Sequence, residues 1–286
     1  MTQGTSAPTA NSAWKLHEIR LVSRKKEIPI VETFEFEFVD SAVGQQYVAR
    51  AGQFNMLYIP GYGEAAISTS GVSQNTGNIV HTIRQAGNVT NAIFRLELGQ
   101  TLGCRGPYGN GWPLRDFEEK HLILIGGGIG MAPLRSVIES LRQSGWSFSK
   151  VTILIGGRSP DSLLYSAEYD QWRSSGFEVL TTVDHSTTGW QGNIGVVPSL
   201  LDRIELSDPN AAIVMCCGPE VMMNYSALAA IERGIPEDQI FFSLERHMNC
   251  AIGHCGRCQL GSYFLCTNGP VFRYNQVKEL MKIPEL

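Results

Sequence analysis

Four closely spaced cysteines near the carboxyl end of the sequence constrain this chain more than any other feature. They follow the spacing C-x4-C-x2-C-x7-C and are Cys250, Cys255, Cys258 and Cys266. The first three have the spacing of the plant-type run that holds a [2Fe–2S] cluster, in which thiolates bind two irons. Gly253 and Gly256 would let a loop wrap around such a cluster and turn its backbone N–H groups toward the sulfurs. The spacing therefore predicts the four cysteines as ligands of an iron–sulfur cluster.

Two other uses of these cysteines stay open at the level of the residues. A structural zinc site usually presents paired C-x2-C knuckles or cysteine with histidine; His254 allows it, but the loop has a single C-x2-C. A set of disulfides would require that the protein is exported to an oxidising compartment. Residues 1–13 are small and polar, unlike a signal peptide, and we expect a disordered tail there. Seven cysteines in such a chain favour a reducing, cytoplasmic setting.

Length and composition allow two domains and a small appendage. The chain has 286 residues, of which 43% are hydrophobic and 17% are charged, as in globular proteins with substantial cores. The formal net charge of −4 does not favour nucleic acid or an anionic membrane surface as a partner. No apolar run reaches the ~18 residues that a membrane-spanning helix needs.

Residues 14–117 have the pattern of short β-strands. The side chains of Phe34, Phe36 and Phe38 alternate with glutamates, as on a strand with one buried face. Glycine and proline separate this strand from three further apolar segments, residues 54–59, 79–84 and 102–106. Short strands at this spacing predict a small closed barrel. Between two of them we expect a short helix with Thr90 as its N-cap.

Strands and helices alternate from residue 118 to residue 242. Buried strands are predicted at residues 121–125, 151–155, 177–183 and 211–216, and helices at residues 134–143, 163–172 and 221–233. This alternation predicts a parallel sheet with right-handed crossovers. Residues 274–286, beyond the cysteines, have helical spacing that suits either a partner contact or closure of the domain.

A glycine-rich turn follows the first strand of this sheet and opens its helix. Gly128-x-Gly130-x-x-Pro133 places backbone N–H groups and a helix N-terminus where the pyrophosphate of a dinucleotide binds. Pro133 replaces the third glycine of the usual fingerprint and is tolerated in the first helical turn. A tight turn without a ligand is the alternative.

Two further groups of residues follow strands of the same sheet. Arg158 and Ser159 offer a cation and a hydroxyl suited to the 2′-phosphate of NADP, and a solvated loop arginine is the alternative. Cys217-Gly218-Pro219 follows the last strand, at the edge where ligands bind in open α/β sheets. Cys216 is expected to be a small buried hydrophobe.

In the barrel, a hydroxyl-bearing stretch and one cation are candidates for binding a flavin pyrophosphate. The stretch is Ala-Ile-Ser-Thr-Ser at residues 66–70, and Arg84 and Thr90 supply a charge and a helix start. The same residue types also occur in barrels without a cofactor.

The order of these motifs resembles that of one protein family. After the barrel come GGGIGMAPLR at residues 126–135, CGP at 217–219 and ERHMNCAIGHCGRCQLG…CTNGPVF at 245–272. This combination resembles the flavin- and NAD(P)-binding iron–sulfur subunits of the ferredoxin reductase superfamily. It is most similar to the gamma, or diaphorase, subunits of cytoplasmic NiFe hydrogenases, the sulfhydrogenases. Related proteins are the electron-transfer subunit of dihydroorotate dehydrogenase, the B subunit of anaerobic sulfite reductase and the small subunit of the bifurcating transhydrogenase.

The resemblance implies a ferredoxin-reductase-like fold, which is a β-barrel plus an α/β domain. A six-stranded antiparallel FAD-binding barrel would occupy residues 14–117, and a parallel-sheet NAD(P)-binding domain would occupy residues 118–242. A small [2Fe–2S] segment with a C-terminal helix would occupy residues 243–286. The implied cofactors are FAD, NAD(P) and a [2Fe–2S] cluster held by the four cysteines.

The resemblance also implies particular contact residues. The family's flavin motif, Arg-x-[Tyr/Ile]-Ser, falls on residues 65–68, so that alanine replaces its arginine and a phosphate contact is lost. The flavin contacts implied by position are Ala65, Ala66, Ile67, Ser68, Thr82, Ile83, Arg84, Val89 and Thr90. The implied nucleotide contacts are Gly128, Gly130 and Pro133, with Cys217, Gly218 and Pro219 on the nicotinamide side. Glu245 and Arg246 match the family's lead-in to the cysteines.

The function implied by the resemblance is that of an electron-transfer subunit in a larger complex. Hydride would pass between NAD(P)H and FAD, and single electrons would pass through the cluster, with no protein side chain needed as acid or base. The expected partners are the subunits of a cytoplasmic NiFe hydrogenase, including a further iron–sulfur subunit, or of one of the related redox complexes. A stand-alone reductase, a cluster protein without flavin and a zinc-stabilised binding module are alternatives of other kinds.

Overall fold

A computed structural model describes residues 13–72 and 77–283 of the chain. The tail expected at residues 1–13 lies outside the described residues apart from Ala13, which is buried. No helix in the described part of the chain has the length and apolar character needed to cross a membrane.

The amino-terminal part forms one antiparallel sheet that closes on itself. Its strands are β1 (His17–Ile28), β2 (Val31–Phe38), β3 (Phe54–Ile59), β4 (Gly63–Ser68), β5 (Gly71–Val72), β6 (Ile79–Arg84) and β7 (Thr101–Tyr108). They lie in the order β4-β3-β7-β1-β2-β6-β5, and each neighbouring pair is antiparallel. β4, at one edge, contacts β6 near the other edge, which closes the barrel. Six of these strands have at least six residues, and β5 has two. The six long strands confirm the predicted six-stranded barrel.

The interior of the barrel is apolar because alternate residues of each strand face inward. Phe34 and Phe36 are fully buried there, together with Leu21, Leu57 and Cys104. Phe38, the third aromatic residue of the alternating run, is partly buried and packs against the same core.

Two short helices connect the barrel strands, α1 (Ser41–Gln46) and α2 (Asn88–Ile93). The N-cap of α2 is Gly87, so the prediction of Thr90 as the N-cap is wrong. Thr90 is instead the third helical residue, and its hydroxyl accepts hydrogen bonds from the backbone N–H groups of Ala86 and Gly87, each at 3.0 Å. The helix starts earlier because this hydroxyl satisfies N–H groups that precede the first turn.

The second sheet is parallel. It contains β8 (His121–Gly127), β9 (Lys150–Gly157), β10 (Glu178–Val183), β11 (Asn193–Ile194), β12 (Ala212–Cys217) and β13 (Ile240–Ser243). Three helices accompany these strands, α3 (Met131–Gln143), α4 (Tyr169–Ser174) and α5 (Glu220–Glu232). The strands lie in the order β11-β10-β9-β8-β12-β13 and all pair in parallel. Their carboxyl ends therefore meet at one edge, which we call the carboxyl edge.

The helix predicted at residues 163–172 is shorter than expected. Tyr165 has a φ angle of +63°, in the left-handed region, so it interrupts any continuous right-handed helix. Leu163, Leu164 and Tyr165 are nevertheless buried. This apolar segment packs into the core as irregular chain between two single 3₁₀ turns, and α4 begins only at Tyr169.

The C-terminal segment joins both sheets. It contains a two-stranded hairpin, β14 (Gln259–Leu260) and β15 (Tyr263–Phe264), then α6 (Leu265–Asn268), β16 (Val271–Arg273) and α7 (Tyr274–Val277). β16 pairs antiparallel with β13 and so extends the parallel sheet. Leu260 and Leu265 share a core with Phe54 and Met56 of the barrel. The helix expected over residues 274–286 is limited to α7 and a 3₁₀ turn at Leu280–Lys282, and residues 284–286 lie outside the described part.

Candidate functional site

The cysteine loop, residues 250–258, is held in an unusual backbone conformation. Ala251, Gly253 and Gly256 have φ angles of +63°, +76° and +75°. Glycine adopts this left-handed region without a steric penalty, whereas alanine does so only at a cost. Three such residues within six positions curl the backbone so that its N–H groups point into the loop.

These N–H groups are directed at cysteine sulfur atoms. The Sγ atom of Cys250 accepts from the backbone N–H groups of Ile252, His254 and Cys255 at 3.3–3.5 Å. Gly253 N–H donates to Sγ of Cys266 at 3.1 Å. Burial alone would raise the pKa of the Cys250 thiol, but the three N–H groups and the Cys255 thiol together lower it to about 6. The loop N–H groups therefore favour the thiolate form of Cys250, the form that binds iron, whereas burial raises the pKa of Cys266 to about 12.

The four thiols form two pairs. Cys255 lies beside Cys250, and Cys258 lies beside Cys266. The four cysteines, three on the loop and Cys266 on α6, supply the four thiolates that a [2Fe–2S] cluster takes. Cys255 is exposed and the other three cysteines are buried, so one side of the site faces solvent.

The glycine-rich turn lies at the carboxyl edge of the parallel sheet. Gly128–Gly130 forms a 3₁₀ turn that leads directly into α3, whose first turn contains Pro133. A Cβ atom on Gly128 would meet nothing within 4 Å. A Cβ atom on Gly130 would lie 2.3 Å from the carbonyl oxygen of Cys217. The glycine turn and the Cys217-Gly218-Pro219 turn are thus packed against each other, with open space beside Gly128.

The side chains at this edge differ in accessibility. Cys217 is 2% exposed, and its thiol donates to the carbonyl of Ser243 at 3.4 Å. Burial raises the pKa of the Cys217 thiol well above its ordinary value, so this residue presents backbone rather than a reactive thiolate. Cys216 is fully buried, as expected. Arg158 is exposed and Ser159 is half-buried, and both follow β9 at the same edge.

The flavin contacts implied by position lie on neighbouring parts of the barrel. Residues 65–68 form the half-buried edge strand β4, and Val89 of α2 packs beside that strand. Ile83 faces the barrel core, while Arg84 is exposed at the end of β6. Because β6 contacts the Gly128–Gly130 turn, the barrel residues and the nucleotide turn border one region.

The hydroxyl of Thr82 is fully engaged inside the protein. Its Oγ1 atom is 2.9 Å from Oγ1 of Thr33 and 3.0 Å from Oγ of Ser70, and it accepts from the hydroxyl of Tyr165 at 2.6 Å. Thr82 is 3% exposed. Its side chain therefore joins the barrel to the nucleotide domain.

Glu245 lies near Arg84 and Cys217. Its side chain is exposed, yet nearby protein atoms partly desolvate the carboxyl. This desolvation raises the pKa of the Glu245 carboxyl, and the nearby Arg84 guanidinium acts in the opposite direction. The lead-in to the cysteines therefore reaches the region where the barrel residues and the nucleotide turn meet.

Sequence reasoning missed a buried ion pair beside the cysteine loop. Arg105 on β7 pairs with Glu64 on β4 and donates to the backbone carbonyls of Asn249 and Cys250. A single cation within the otherwise apolar strand Leu102-Gly-Cys-Arg-Gly was the available signal. Its partners are distant in sequence, so the signal did not show what it binds.

Two sequence families match this chain. The oxidoreductase NAD-binding domain family matches residues 124–227. The iron–sulfur cluster binding domain of dihydroorotate dehydrogenase B matches residues 245–278. These regions contain the glycine turn and the four cysteines, respectively.

Several known proteins align over most of the chain. The sulfhydrogenase 1 subunit gamma of Pyrococcus furiosus is 32% identical over 271 residues, which cover 92% of each chain. A probable dihydroorotate dehydrogenase B electron transfer subunit of Methanocella arvoryzae is 34% identical over 248 residues, 86% of each chain. A solved chain of the NADH-dependent reduced ferredoxin-NADP oxidoreductase superposes with a TM-score of 0.73, at 26% identity over 93% of this chain and 94% of that one.

The matches and the site agree on fold, cofactors and class. They confirm the ferredoxin-reductase-like fold and support FAD, NAD(P) and an iron–sulfur cluster as the cofactors. The match of residues 245–278 to an iron–sulfur cluster binding domain supports the cluster as the group that the four cysteines hold. This chain belongs to the family of NAD(P)H-dependent, ferredoxin-reductase-like electron-transfer subunits that includes the sulfhydrogenase gamma subunits and the electron transfer subunits of dihydroorotate dehydrogenase B.

Proposed function

We propose that this chain moves electrons between NAD(P)H and a partner subunit of a multi-subunit redox complex, through FAD and a [2Fe–2S] cluster. The observation that carries the proposal is the position of the cysteine segment. It packs against barrel strands β3 and β7 through a shared core, and it adds β16 to the nucleotide sheet. A cluster held there borders both the barrel and the nucleotide domain.

The proposed roles of the residues follow from where they lie. Gly128 leaves open space for a pyrophosphate, and the backbone of Cys217 and Gly218 borders the nicotinamide side. The half-buried strand β4 and Arg84 bind the flavin, with Ala65 leaving Arg84 as the phosphate-binding cation. The four cysteines would hold the irons of the cluster, and the loop N–H groups donate to the sulfurs of Cys250 and Cys266. When bound, the flavin supplies the exchange between two-electron hydride chemistry and single-electron transfer.

We further propose that the partners are subunits of a cytoplasmic NiFe hydrogenase complex, including another iron–sulfur subunit. The alignment with the gamma subunit of a sulfhydrogenase covers 92% of both chains, which supports this assignment. A dihydroorotate dehydrogenase complex is the second candidate, because the cysteine segment matches the iron–sulfur domain of that enzyme. We also propose that the domains meet at residues 117/118 and 242/243.

A spectrum of anaerobically purified protein tests the cofactor arrangement. We expect flavin bands together with cluster absorbance, and reduction of both on addition of NADH or NADPH. Cluster absorbance without flavin after reconstitution within the native assembly would contradict the proposal. A colourless protein with stoichiometric zinc would contradict it as well.

Affinity purification from the native host under anaerobic conditions tests the partner. We expect the tagged chain to retain a subunit that contains nickel and iron, identified by mass spectrometry and metal analysis. Recovery of a dihydroorotate dehydrogenase catalytic subunit would replace the hydrogenase assignment by the second candidate.

Arg158→Ala tests the preference for the nucleotide. Arg158 is exposed at the carboxyl edge after β9, where it is suited to a 2′-phosphate. We expect the variant to lose kcat/KM for NADPH by about tenfold or more, as for loss of one charge-assisted contact of about 1.5–3 kcal/mol, with little change for NADH. An unchanged ratio of the two values would show that Arg158 does not bind the phosphate.

A further inference from the structure

Arg105 is a cation buried where the barrel meets the cysteine loop. It is 3% exposed and lies on β7. Its guanidinium makes two parallel hydrogen bonds to the carboxylate of Glu64, from Nε to Oε1 and from Nη2 to Oε2, each at 2.7 Å. This two-point geometry is the strongest form of Arg–carboxylate pairing and holds both side chains in one orientation.

The same guanidinium also binds the start of the cysteine loop. Nη1 donates to the carbonyl oxygen of Cys250 and Nη2 to that of Asn249, each at 2.8 Å. These carbonyls directly precede Ala251, whose φ angle of +63° is costly for a residue with a Cβ atom. Such a conformation persists only where surrounding contacts impose it. The contacts of Arg105 are therefore placed to hold the point at which the loop turns back.

Glu64 connects this contact to the strand that is proposed to bind the flavin. It lies on β4, immediately before the residues 65–68 onto which the flavin motif falls. One ion pair thus links the backbone of β4 to the backbone of a cluster ligand, Cys250. The two segments are more than 180 residues apart in sequence, so no local element keeps them together.

We propose that Arg105 and Glu64 are positioning residues, which hold the cysteine loop against the flavin-binding strand and set the electrostatic environment of the cluster. The inference rests on the proposed electron-transfer function. Two consequences follow. The pair fixes the geometry of the loop, and its opposite charges balance each other beside the cluster, whose reduction potential depends on local charge and burial.

The electrostatic consequence is tested by removing one charge at a time from the holoprotein. Arg105→Met leaves the Glu64 carboxylate uncompensated, so we expect the midpoint potential of the cluster to shift to a lower value. Glu64→Gln leaves the guanidinium uncompensated, so we expect a shift to a higher value. A redox titration followed by electron paramagnetic resonance measures both. Shifts of the same sign, or no shift in either variant, would overturn the electrostatic role.

The geometric consequence is tested by Arg105→Lys. Lysine keeps the charge but cannot bind a carboxylate at two points while contacting two carbonyls. We expect a potential close to that of the wild type, together with faster hydrogen–deuterium exchange of the amides of residues 250–255. Unchanged exchange in this variant would overturn the geometric role. If Arg105→Met does not load a cluster, Arg105→Lys and Glu64→Gln decide the question.

Arg24 provides a matched control. It is an exposed arginine of the barrel that pairs with Glu32, donates to the carbonyls of Phe94 and Leu96 and lies over the ring of Phe34, so it makes similar contacts away from the cysteine loop. We expect Arg24→Met to leave both the potential and the exchange of the cysteine loop unchanged. Failure of NADH to reduce the cluster in the wild type would contradict the proposed function, whereas variants without effect in an active wild type would contradict only this inference.

Discussion

At the scale of single residues, a fully buried histidine lies next to the strand that we propose binds flavin. His81 on β6 is 0% exposed, and its Nδ1 atom is 2.9 Å from the carbonyl oxygen of Ser68. Its Nε2 atom is 3.1 Å from Nδ2 of Asn55. An amide nitrogen only donates, so Nε2 accepts and Nδ1 carries the proton that Ser68 receives. Burial lowers the pKa of His81 to about 4, which keeps the ring neutral and the hydrogen bonds intact.

This histidine makes stability depend on pH. The pKa of His81 is about 4 in the folded state and near 6.5 in the unfolded state. Between these values only the unfolded state binds the proton, so the free energy of unfolding falls as pH is lowered from about 6.5 to 4, by about 3 kcal/mol from His81 at the full extent. Urea unfolding at a series of pH values measures this.

Substitution separates His81 from other contributions to the same pH window. His121, whose pKa burial also lowers to about 4, adds its own dependence. We expect His81→Gln to reduce the pH dependence without abolishing it, and to cost about 1–3 kcal/mol at pH 7 for the disrupted hydrogen bonds. The exposed His185→Gln serves as the control. A pH dependence equal to that of the wild type in His81→Gln would contradict the assignment.

At the scale of elements, the nucleotide site depends on how closely two turns approach. The Gly128–Gly130 turn ends β8, and the turn beginning at Cys217 ends the adjacent strand β12. Gly130 lies against the backbone of Cys217 and Gly218, where a Cβ atom would be 2.3–2.6 Å from backbone atoms. The lack of a side chain at Gly130 therefore permits the packing of neighbouring elements, while Gly128 faces open space.

The two glycines are expected to respond differently to the same substitution. Gly130→Ala forces two backbones apart, and we expect a loss of about 3 kcal/mol in the free energy of unfolding. Gly128→Ala places alanine at a φ angle of +55° with no steric contact, so we expect a cost of about 1 kcal/mol. Its main effect should be weaker NADH binding. Chemical denaturation and nucleotide titration measure both, and equal stability of Gly130→Ala and the wild type would contradict the close packing.

At the scale of the whole molecule, a partly buried polar network holds the barrel against the nucleotide domain. Arg135 of α3 donates to the carbonyl of Ser70 and to the carboxylate of Glu168, each at 2.8 Å. The hydroxyl of Tyr165 donates to Thr82 on β6. These contacts fix the position of the proposed flavin site relative to the nucleotide turn.

A double-mutant cycle measures this connection. Thr82→Val leaves the buried hydroxyl of Tyr165 without its acceptor, and we expect a cost of about 1–3 kcal/mol. Tyr165→Phe removes the donor as well, so the double variant should be more stable than the sum of the single costs predicts. Tyr169→Phe is the control, because its hydroxyl donates within the nucleotide domain to Leu164. Additive costs for Thr82→Val and Tyr165→Phe would show that the contact does not couple the domains.

Features that depend on neighbours in sequence were predictable. The alternating phenylalanines indicated β2, the short apolar runs indicated β8, β9 and β12, and the glycines indicated the turn after β8. The cysteine spacing indicated the cluster because three of its ligands lie on one loop and the fourth, Cys266, lies on α6 close behind it in sequence. Each of these patterns reports a local requirement, such as a strand face, a tight turn or a ligand spacing, that a short segment meets by itself.

The tertiary structure alone decided which distant segments meet. The hydroxyl of Thr82 is engaged by Tyr165, 83 residues away, rather than being free for a cofactor. Arg105 binds the carbonyl of Cys250, which is 145 residues away in sequence. β16, which belongs to the cysteine segment, pairs with β13 of the nucleotide sheet. Such contacts form because a buried cation or hydroxyl must find a partner wherever the folded chain provides one. No local pattern in the sequence records where that partner lies.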